Sequence, residues 1–464
     1  MTETKKVLFF NFDSNITNAP TKNNLSIKHI LNLSTDGGII RPFYKQENIF
    51  KVLLTEEEYE TYQLSFAGLE YTSHKIIPFE YIDLVTKKPV LRILIVDSEN
   101  CLKEYEPANG TLLDYEIYFN SIPQSVMHNN ELYLFDNALN IYSFTDNSKP
   151  TMLTNTIKVC YVKFYKELIY FRVEGNSNTI FVAQNKSFAD LVKEDTLPAE
   201  TLVIDENYGA FQDVLICDNY VYIVQDYGIA KIEKSKDETI FTYFKSDSKI
   251  CDETAKSIND YIVFFSTGGI CRFDGNRITV ICETLFNSLG DSAVAEVFNN
   301  KYYLATTLNH QGVSNNVLIE IDISKQSANI MSSSSGEVVE LVAVQLWSKY
   351  LLQVVSKNLN ARNTTAVINQ NTNSYGATKT VEFNKLYLDT MLVKQIQNIF
   401  IDVDGEVTFE ITSNFGDKIA HTSTGSFNLS NLFLRGVYFN LKIYSLSNFT
   451  VDSIYIEYTG VNNA

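Results

Sequence analysis

Cys217-Asp218-Asn219-Tyr220-Val221-Tyr222-Ile223-Val224 is a polar turn running into an aromatic-rich strand, and the chain keeps returning to it. The same cadence is read in Asn129-Asn130-Glu131-Leu132-Tyr133-Leu134-Phe135, in Tyr165-Lys166-Glu167-Leu168-Ile169-Tyr170-Phe171 and in Ile258-Asn259-Asp260-Tyr261-Ile262-Val263-Phe264-Phe265. Phe298-Asn299-Asn300-Lys301-Tyr302-Tyr303-Leu304 and Leu346-Trp347-Ser348-Lys349-Tyr350-Leu351-Leu352 complete six copies. In each, an Asn, Asp or Lys turn leads to a strand, a second turn and another strand. The spacing runs from roughly 36 to 53 residues and is close to 40 in the middle copies, the length of a four-stranded propeller blade.

The second turns agree with this reading. Asp274-Gly275-Asn276 is a Gly-containing hairpin turn between Ile270-Cys271-Arg272-Phe273 and Arg277-Ile278-Thr279-Val280-Ile281. Gly268-Gly269 and Tyr227-Gly228 occupy the earlier turn of their own repeats. The longest spacing has a local cause: Lys186 to Ala210, with Ser187-Phe188-Ala189-Asp190-Leu191-Val192, reads as an inserted helix and loop. Val90 to Asp97 with Asn100 to Tyr105 supplies a further blade, and residues 39–82 hold strand-like material for another. Six or seven blades are expected.

Near residue 375 the cadence changes. Asn369 to Thr378 reads as a polar linker, and the strands after it lose the blade spacing. Asp404-Gly405 is a two-residue hairpin signal between Asn398–Val403 and Glu406–Ile411. The expected fold is all-β: an N-terminal extension over 1–38, a six- or seven-bladed β-propeller over 39–368, and a C-terminal β-sandwich of jelly-roll type over 379–464.

Composition fits an all-β chain. Aromatic residues make up 13% of the 464, carried by 28 Tyr and 30 Phe against one Trp, and such residues suit half-buried pleated surfaces. A formal charge of −17 argues against tight duplex binding, which needs clustered Lys and Arg, and does not exclude a wall past which DNA slides without sticking; by itself the charge reads first as solubility. Cys101, Cys160, Cys217, Cys251, Cys271 and Cys282 form no CxxC pair and are expected to be reduced and mostly buried. The start has too short an apolar run for a signal peptide, and no stretch approaches a membrane span of about 20 apolar residues.

No catalytic, cofactor-binding or metal-ligating residue is expected. Ser34-Thr35-Asp36-Gly37-Gly38 lacks the spacing and the Trp of a sialidase Asp-box, and Trp347 lies in a strand. His29, His74, His128, His310 and His421 are scattered, without HxH or HExxH spacing. Asp402-Val403-Asp404-Gly405-Glu406 lacks the third acidic position and the distant Glu of an EF-hand, so a hairpin turn explains it. The chain is accordingly expected not to be an enzyme.

Phe264 to Gly275, leading to Ser292-Ala293-Val294-Ala295-Glu296-Val297 and Asn300 to Ala305, resembles the propeller of structural proteins in tailed-bacteriophage virions. Arg435 to Ile443, followed by Phe449-Thr450-Val451-Asp452-Ser453-Ile454-Tyr455-Ile456-Glu457-Tyr458, resembles the strands that close many such proteins. The likeness covers roughly residues 90 to 464 as a pattern of strands and turns, and none of its motifs is catalytic. Asn11-Phe12-Asp13, Asn23-Asn24-Leu25 and Gly37 to Pro42 resemble the leading segment of podophage tail nozzle or DNA-stabilisation proteins.

The resemblance implies a virion tail protein made in the host cytoplasm, a nozzle or hub subunit of a ring-shaped conduit for DNA retention and ejection. Implied partners are further copies in a ring of six or twelve, neighbouring tail or portal-adaptor proteins and passing DNA, with no membrane insertion. The alternative is a host-receptor or glycan-binding tail adhesin. Tyr438, Tyr444, Tyr455 and Tyr458 would then stack on a host surface glycan, although alternation into the sandwich core or a subunit interface is the preferred reading of them. The loops Asn309 to Asn316 and Lys357 to Tyr375, long and polar, are the expected contact elements.

Overall fold

The computed structural model describes residues 4–9, 27–31, 33–34, 40–42, 44–65, 73–83, 85–97, 99–107, 109–129, 131–136, 141–144, 149–153, 157–184, 187–193, 197–198, 200–234, 239–282, 289–310, 313–324, 327–332, 337–346, 349–357, 363–373, 378–388 and 392–460. The architecture is all-β. Among the described residues seven four-stranded antiparallel sheets follow one another along the chain. Their first strands are Ser73–Ile82, Gln124–His128, Val159–Tyr165, Phe211–Cys217, Lys256–Ile258, Leu289–Phe298 and Glu337–Gln345. In sheets 1 to 6 each later strand pairs with the one before it. Sheet 7 instead takes its fourth strand from Tyr44–Asn48, which pairs with Asn363–Asn373.

Apolar clusters fill the seams between neighbouring sheets. Phe79 and Leu94 of sheet 1 meet Leu132 and Leu134 of sheet 2, and Leu215 and Val224 of sheet 4 meet Ile262 and Phe264 of sheet 5. The ring closes in the same way, because Ile76, Ile93 and Tyr105 of sheet 1 share a cluster with Leu346 and Leu351 at the end of sheet 7. This is a β-propeller.

The six quoted copies are the first hairpins of sheets 2 to 7. In sheets 2 to 6 two residues close each hairpin: His128 faces Glu131, Tyr165 faces Leu168, Cys217 faces Tyr220, Ile258 faces Tyr261 and Phe298 faces Lys301. Asp218 and Asn219 have φ of 47° and 63°, and Asn299 and Asn300 have 50° and 57°. Left-handed backbone at both central residues gives the turn whose twist matches its strands, and Asn and Asp reach it at least cost among residues with a Cβ.

Several expectations are corrected. Residues 39–82 and 90–105 do not form two blades: Ser73–Ile82, Pro89–Asp97, Cys101–Glu106 and Thr111–Tyr118 make one sheet. Ahead of it stand helices Ile49–Leu53 and Glu56–Ser65. The second begins at a capping box in which the Thr55 amide donates to Glu58 at 2.9 Å and the Glu58 amide donates to Thr55 Oγ1 at 3.4 Å. Within Lys357 to Tyr375, and across the expected linker, Asn363–Asn373 is a strand, because Tyr44–Asn48 and Tyr350–Lys357 flank it and take up its backbone groups. The Asn309 to Asn316 segment is mostly the facing ends of Lys301–His310 and Val313–Asp322.

After the propeller come Lys379–Phe383, Lys394–Ser413, Lys418–Thr424, Phe427–Leu429, Leu434–Gly436, Phe439–Ser445 and Phe449–Gly460. Thr4–Phe9 and Ile27–Leu31 join them, pairing with Phe449–Gly460 and Lys379–Phe383. Within one nine-stranded sheet, the 20-residue strand Lys394–Ser413 changes partner along its length. Its first part pairs with Phe449–Gly460 as far as Gly405 opposite Phe449, and its last part with Phe439–Ser445. The expected hairpin at Asp404-Gly405 is therefore absent. Asp404 stays paired with Thr450, and the strand continues through Gly405 at φ +100°. A Cβ at Gly405 would meet the Asn448 carbonyl oxygen and Phe449 Cα, so only glycine permits this close pairing.

One apolar core joins the two parts. Ile319, Ile321 and Ile330 of sheet 6 belong to the same cluster as Leu33 and Ile40 near the N-terminus and Val381, Ile399, Phe409, Ile443 and Ile454 of the C-terminal strands.

Candidate functional site

Two concave regions stand out. The first lies on the propeller axis, a channel of 410 Å³ to which all seven sheets contribute, from Lys75 of sheet 1 to Glu340 of sheet 7. The first strands face it, so side chains far apart in sequence converge. Three seams carry a polar pair here. Lys75 Nζ is 2.7 Å from Glu340 across the closing seam, and Lys256 Nζ is 3.7 Å from Glu296. The Tyr161 hydroxyl donates to Asp213 at 2.6 Å. Burial first, then the Asp213 charge, pushes that hydroxyl well above its usual pKa, so it stays a proton donor.

The channel therefore gathers Asp213, Glu253, Glu296 and Glu340 with Lys75, Lys163 and Lys256. A weak signal for this was present in the sequence. Val126, Lys163, Lys256 and Glu296 each sit three residues before the first turn residue of their copy, Asn129, Lys166, Asn259 and Asn299.

The second region is a cleft of 450 Å³ on the C-terminal strands. Its floor follows from register. Glu382 lies directly opposite Lys442, and Lys442 opposite Glu410, so three neighbouring strands present a carboxylate, an ammonium and a carboxylate in a row. Lys442 Nζ is 3.0 Å from Glu382, and Lys418 Nζ is 2.9 Å from Glu410. The Tyr444 hydroxyl donates to Glu410 at 3.3 Å. Tyr387 walls one side, its ring 5.6 Å from that of Tyr438, over which Lys385 lies at 4.6 Å.

Of the four tyrosines named from sequence, Tyr458 is buried in the core, and Tyr455 is half-buried with its backbone between Leu8 and Phe400. Tyr438 packs against Tyr387 of the cleft wall, and Tyr444 donates to Glu410 of its floor. Tyr387, Glu382, Glu410 and Lys442 escaped the sequence reading because only strand register brings them together. His128 stacks on Phe164 at 4.1 Å with its pKa lowered by burial, and His421 packs on Phe427 at 4.8 Å. The side chains of His29, His74 and His310, together with Trp347 and residues 11–13, 23–25, 35–39 and 374–377, lie outside the described residues. Among the described residues no group of three His, Cys, Asp or Glu could hold a metal, and no helix is long and apolar enough to cross a membrane.

No family model and no curated protein matches the chain. Among solved structures it is similar to BBS1N in complex with ARL6DN, at 10% identity and TM-score 0.42, covering 66% of this chain and 95% of that one. It is also similar to an exo-beta-1,3-galactanase from Phanerochaete chrysosporium in complex with beta-1,3-galactotriose, at 11% identity and TM-score 0.27, covering 64% and 94%.

The expectation that the chain is not an enzyme is corrected at this point: a glycoside hydrolase stands among the structures it resembles. The physical reason is that a propeller assembles carboxylates from separate blades at its axis, as with Asp213, Glu253, Glu296 and Glu340. Missing linear motifs therefore exclude nothing. At that TM-score the likeness assigns no activity either, since fold alone does not carry chemistry.

Proposed function

We propose that the chain is a structural subunit of a bacteriophage tail, part of a ring-shaped nozzle or hub that retains DNA and lets it leave. The observation supporting this most directly is the single apolar core that joins sheet 6, Leu33 and Ile40 near the N-terminus and the C-terminal strands. A closed ring needs two unlike faces held at a constant angle, so that each added copy turns by the same amount. A propeller and a second unit sharing one core meet that requirement, whereas a flexible linker between them would not.

In this reading the propeller is seven-bladed and the C-terminal sheets form a β-sandwich of jelly-roll type. DNA passes between subunits rather than through one. The axial channel of 410 Å³ is too small for a duplex: a bore only as wide as one major groove, about 12 Å, would use up that volume in roughly 4 Å of length. A net charge of −17 keeps the walls of the conduit from trapping phosphate. Partners are further copies in a ring of six or twelve, adjoining tail or portal-adaptor proteins and passing DNA, within a virion assembled in the host cytoplasm.

Mass photometry of the full chain, with negative-stain class averages, tests the ring; mass spectrometry of purified virions tests the location. Closed rings and presence in virions are expected. Monomers at every concentration combined with absence from virions overturns the assignment.

A further inference from the structure

The cleft on the C-terminal strands carries chemistry that a subunit interface does not require. Its two carboxylates are each answered by a lysine of the same sheet, Glu382 by Lys442 and Glu410 by Lys418. Glu410 takes Lys418 and the Tyr444 hydroxyl, which use about two of a carboxylate's four or so lone-pair sites and leave room for a ligand hydroxyl. Asn440 adds an exposed amide on the cleft floor, donor and acceptor side by side. Tyr387, half-buried and backed by Tyr438, supplies a ring held in place at the wall.

We infer that this cleft binds a neutral saccharide. The charges select against ions: an anion would face Glu382 and Glu410, and a cation would face Lys385 and Lys442. What remains favourable is an uncharged ligand rich in hydroxyl groups. Planar carboxylate and amide groups can each engage two neighbouring hydroxyls, while a tyrosine face takes the C–H side of a sugar ring. A volume of 450 Å³ lies within the range of about 300–1,000 Å³ typical of small-ligand sites. Nothing in this assignment depends on the chain forming a tail ring.

The test uses the full chain on an array of neutral oligosaccharides (glucose, galactose, mannose and rhamnose polymers) beside sialylated and sulfated ones. Solution titration with the best neutral oligosaccharide follows. Retention of a neutral glycan is expected, weakened about tenfold or more by Tyr387→Ala and by Glu410→Gln, and largely restored in Tyr387→Phe, which keeps the ring. Glu296→Gln, in the axial channel, should bind as the parent does. Thermal melts of every variant separate lost binding from lost folding, and Asn440→Ala, on the exposed floor, gives a second probe of the site.

Retention of anionic glycans alone, no retention at all, or binding that Tyr387→Ala and Asn440→Ala leave unchanged would each overturn the inference. Because binding is read on the chain in solution, a negative result leaves the ring and virion measurements untouched, and the reverse also holds.

Discussion

Replacing Glu340 by Gln should destabilise the propeller more than replacing its partner Lys75 by Met, although the two changes remove the same ion pair. The pair sits at the closing seam, with Lys75 Nζ 2.7 Å from Glu340 and side chains 8% and 30% exposed. Glu340→Gln leaves an ammonium group almost wholly shielded from water. Removing one partner of a buried pair costs about 3–5 kcal/mol, and because the Glu side of this one reaches solvent a loss of about 2–3 kcal/mol is expected. Lys75→Met leaves a carboxylate that can rehydrate, while the Met side chain refills the space of the lysine methylenes; about 0.5–1.5 kcal/mol follows. The double variant should fall close to Lys75→Met, giving a coupling of roughly 2–3 kcal/mol. Urea unfolding followed by circular dichroism reads these differences, provided that the slope m is shared across the four proteins. Lys75→Met costing as much as Glu340→Gln, or two single losses that simply add, would refute the argument from unequal burial.

Three further outcomes follow from other parts of the molecule. Gly405→Ala places a Cβ against Asn448 and Phe449 at φ +100° and should cost about 2–4 kcal/mol, read as a lower melting temperature; an unchanged value would mean that the strand bends without needing glycine. Asn300→Ala, at φ 57°, should cost about 1 kcal/mol in urea unfolding while Asn300→Gly costs little, and equal losses would contradict a left-handed turn there.

Burial is the main reason that Tyr170 and Tyr222 are pushed up to about 12 from the ordinary value near 10. A raised folded-state value means that their contribution is complete below pH 10 and is lost as pH climbs from 10 toward 12. The urea midpoint should therefore fall over that window, and less steeply in the Tyr170→Phe, Tyr222→Phe double variant; an identical fall would sink the explanation.

How much was legible beforehand can be judged from particular elements. The turns at Asn129, Lys166, Asp218, Asn259 and Asn299 were readable because a two-residue hairpin is a local event, decided by backbone preferences within a few residues. The strand that closes the ring was not. Tyr44–Asn48 pairs with Asn363–Asn373 across more than three hundred residues, and neither segment carries a mark of its partner. Asp404-Gly405 shows the opposite failure. Its local preference favours a hairpin, yet Phe449–Gly460 pairs with the residues up to the glycine while Lys418–Thr424 and Phe439–Ser445 pair with those after it, so the strand continues.

By itself, then, the sequence determined an all-β chain, its repeating blades and their turns, since alternation and turn chemistry act over neighbouring residues. Tertiary structure alone decided which sheet closes on which, the polar pairs around the axis, and the cleft where Glu382, Lys442 and Glu410 stand in a row. Those features depend on register between strands distant along the chain. A shift of one residue would turn each of these side chains to the opposite face, and only the packing of the whole core forbids it.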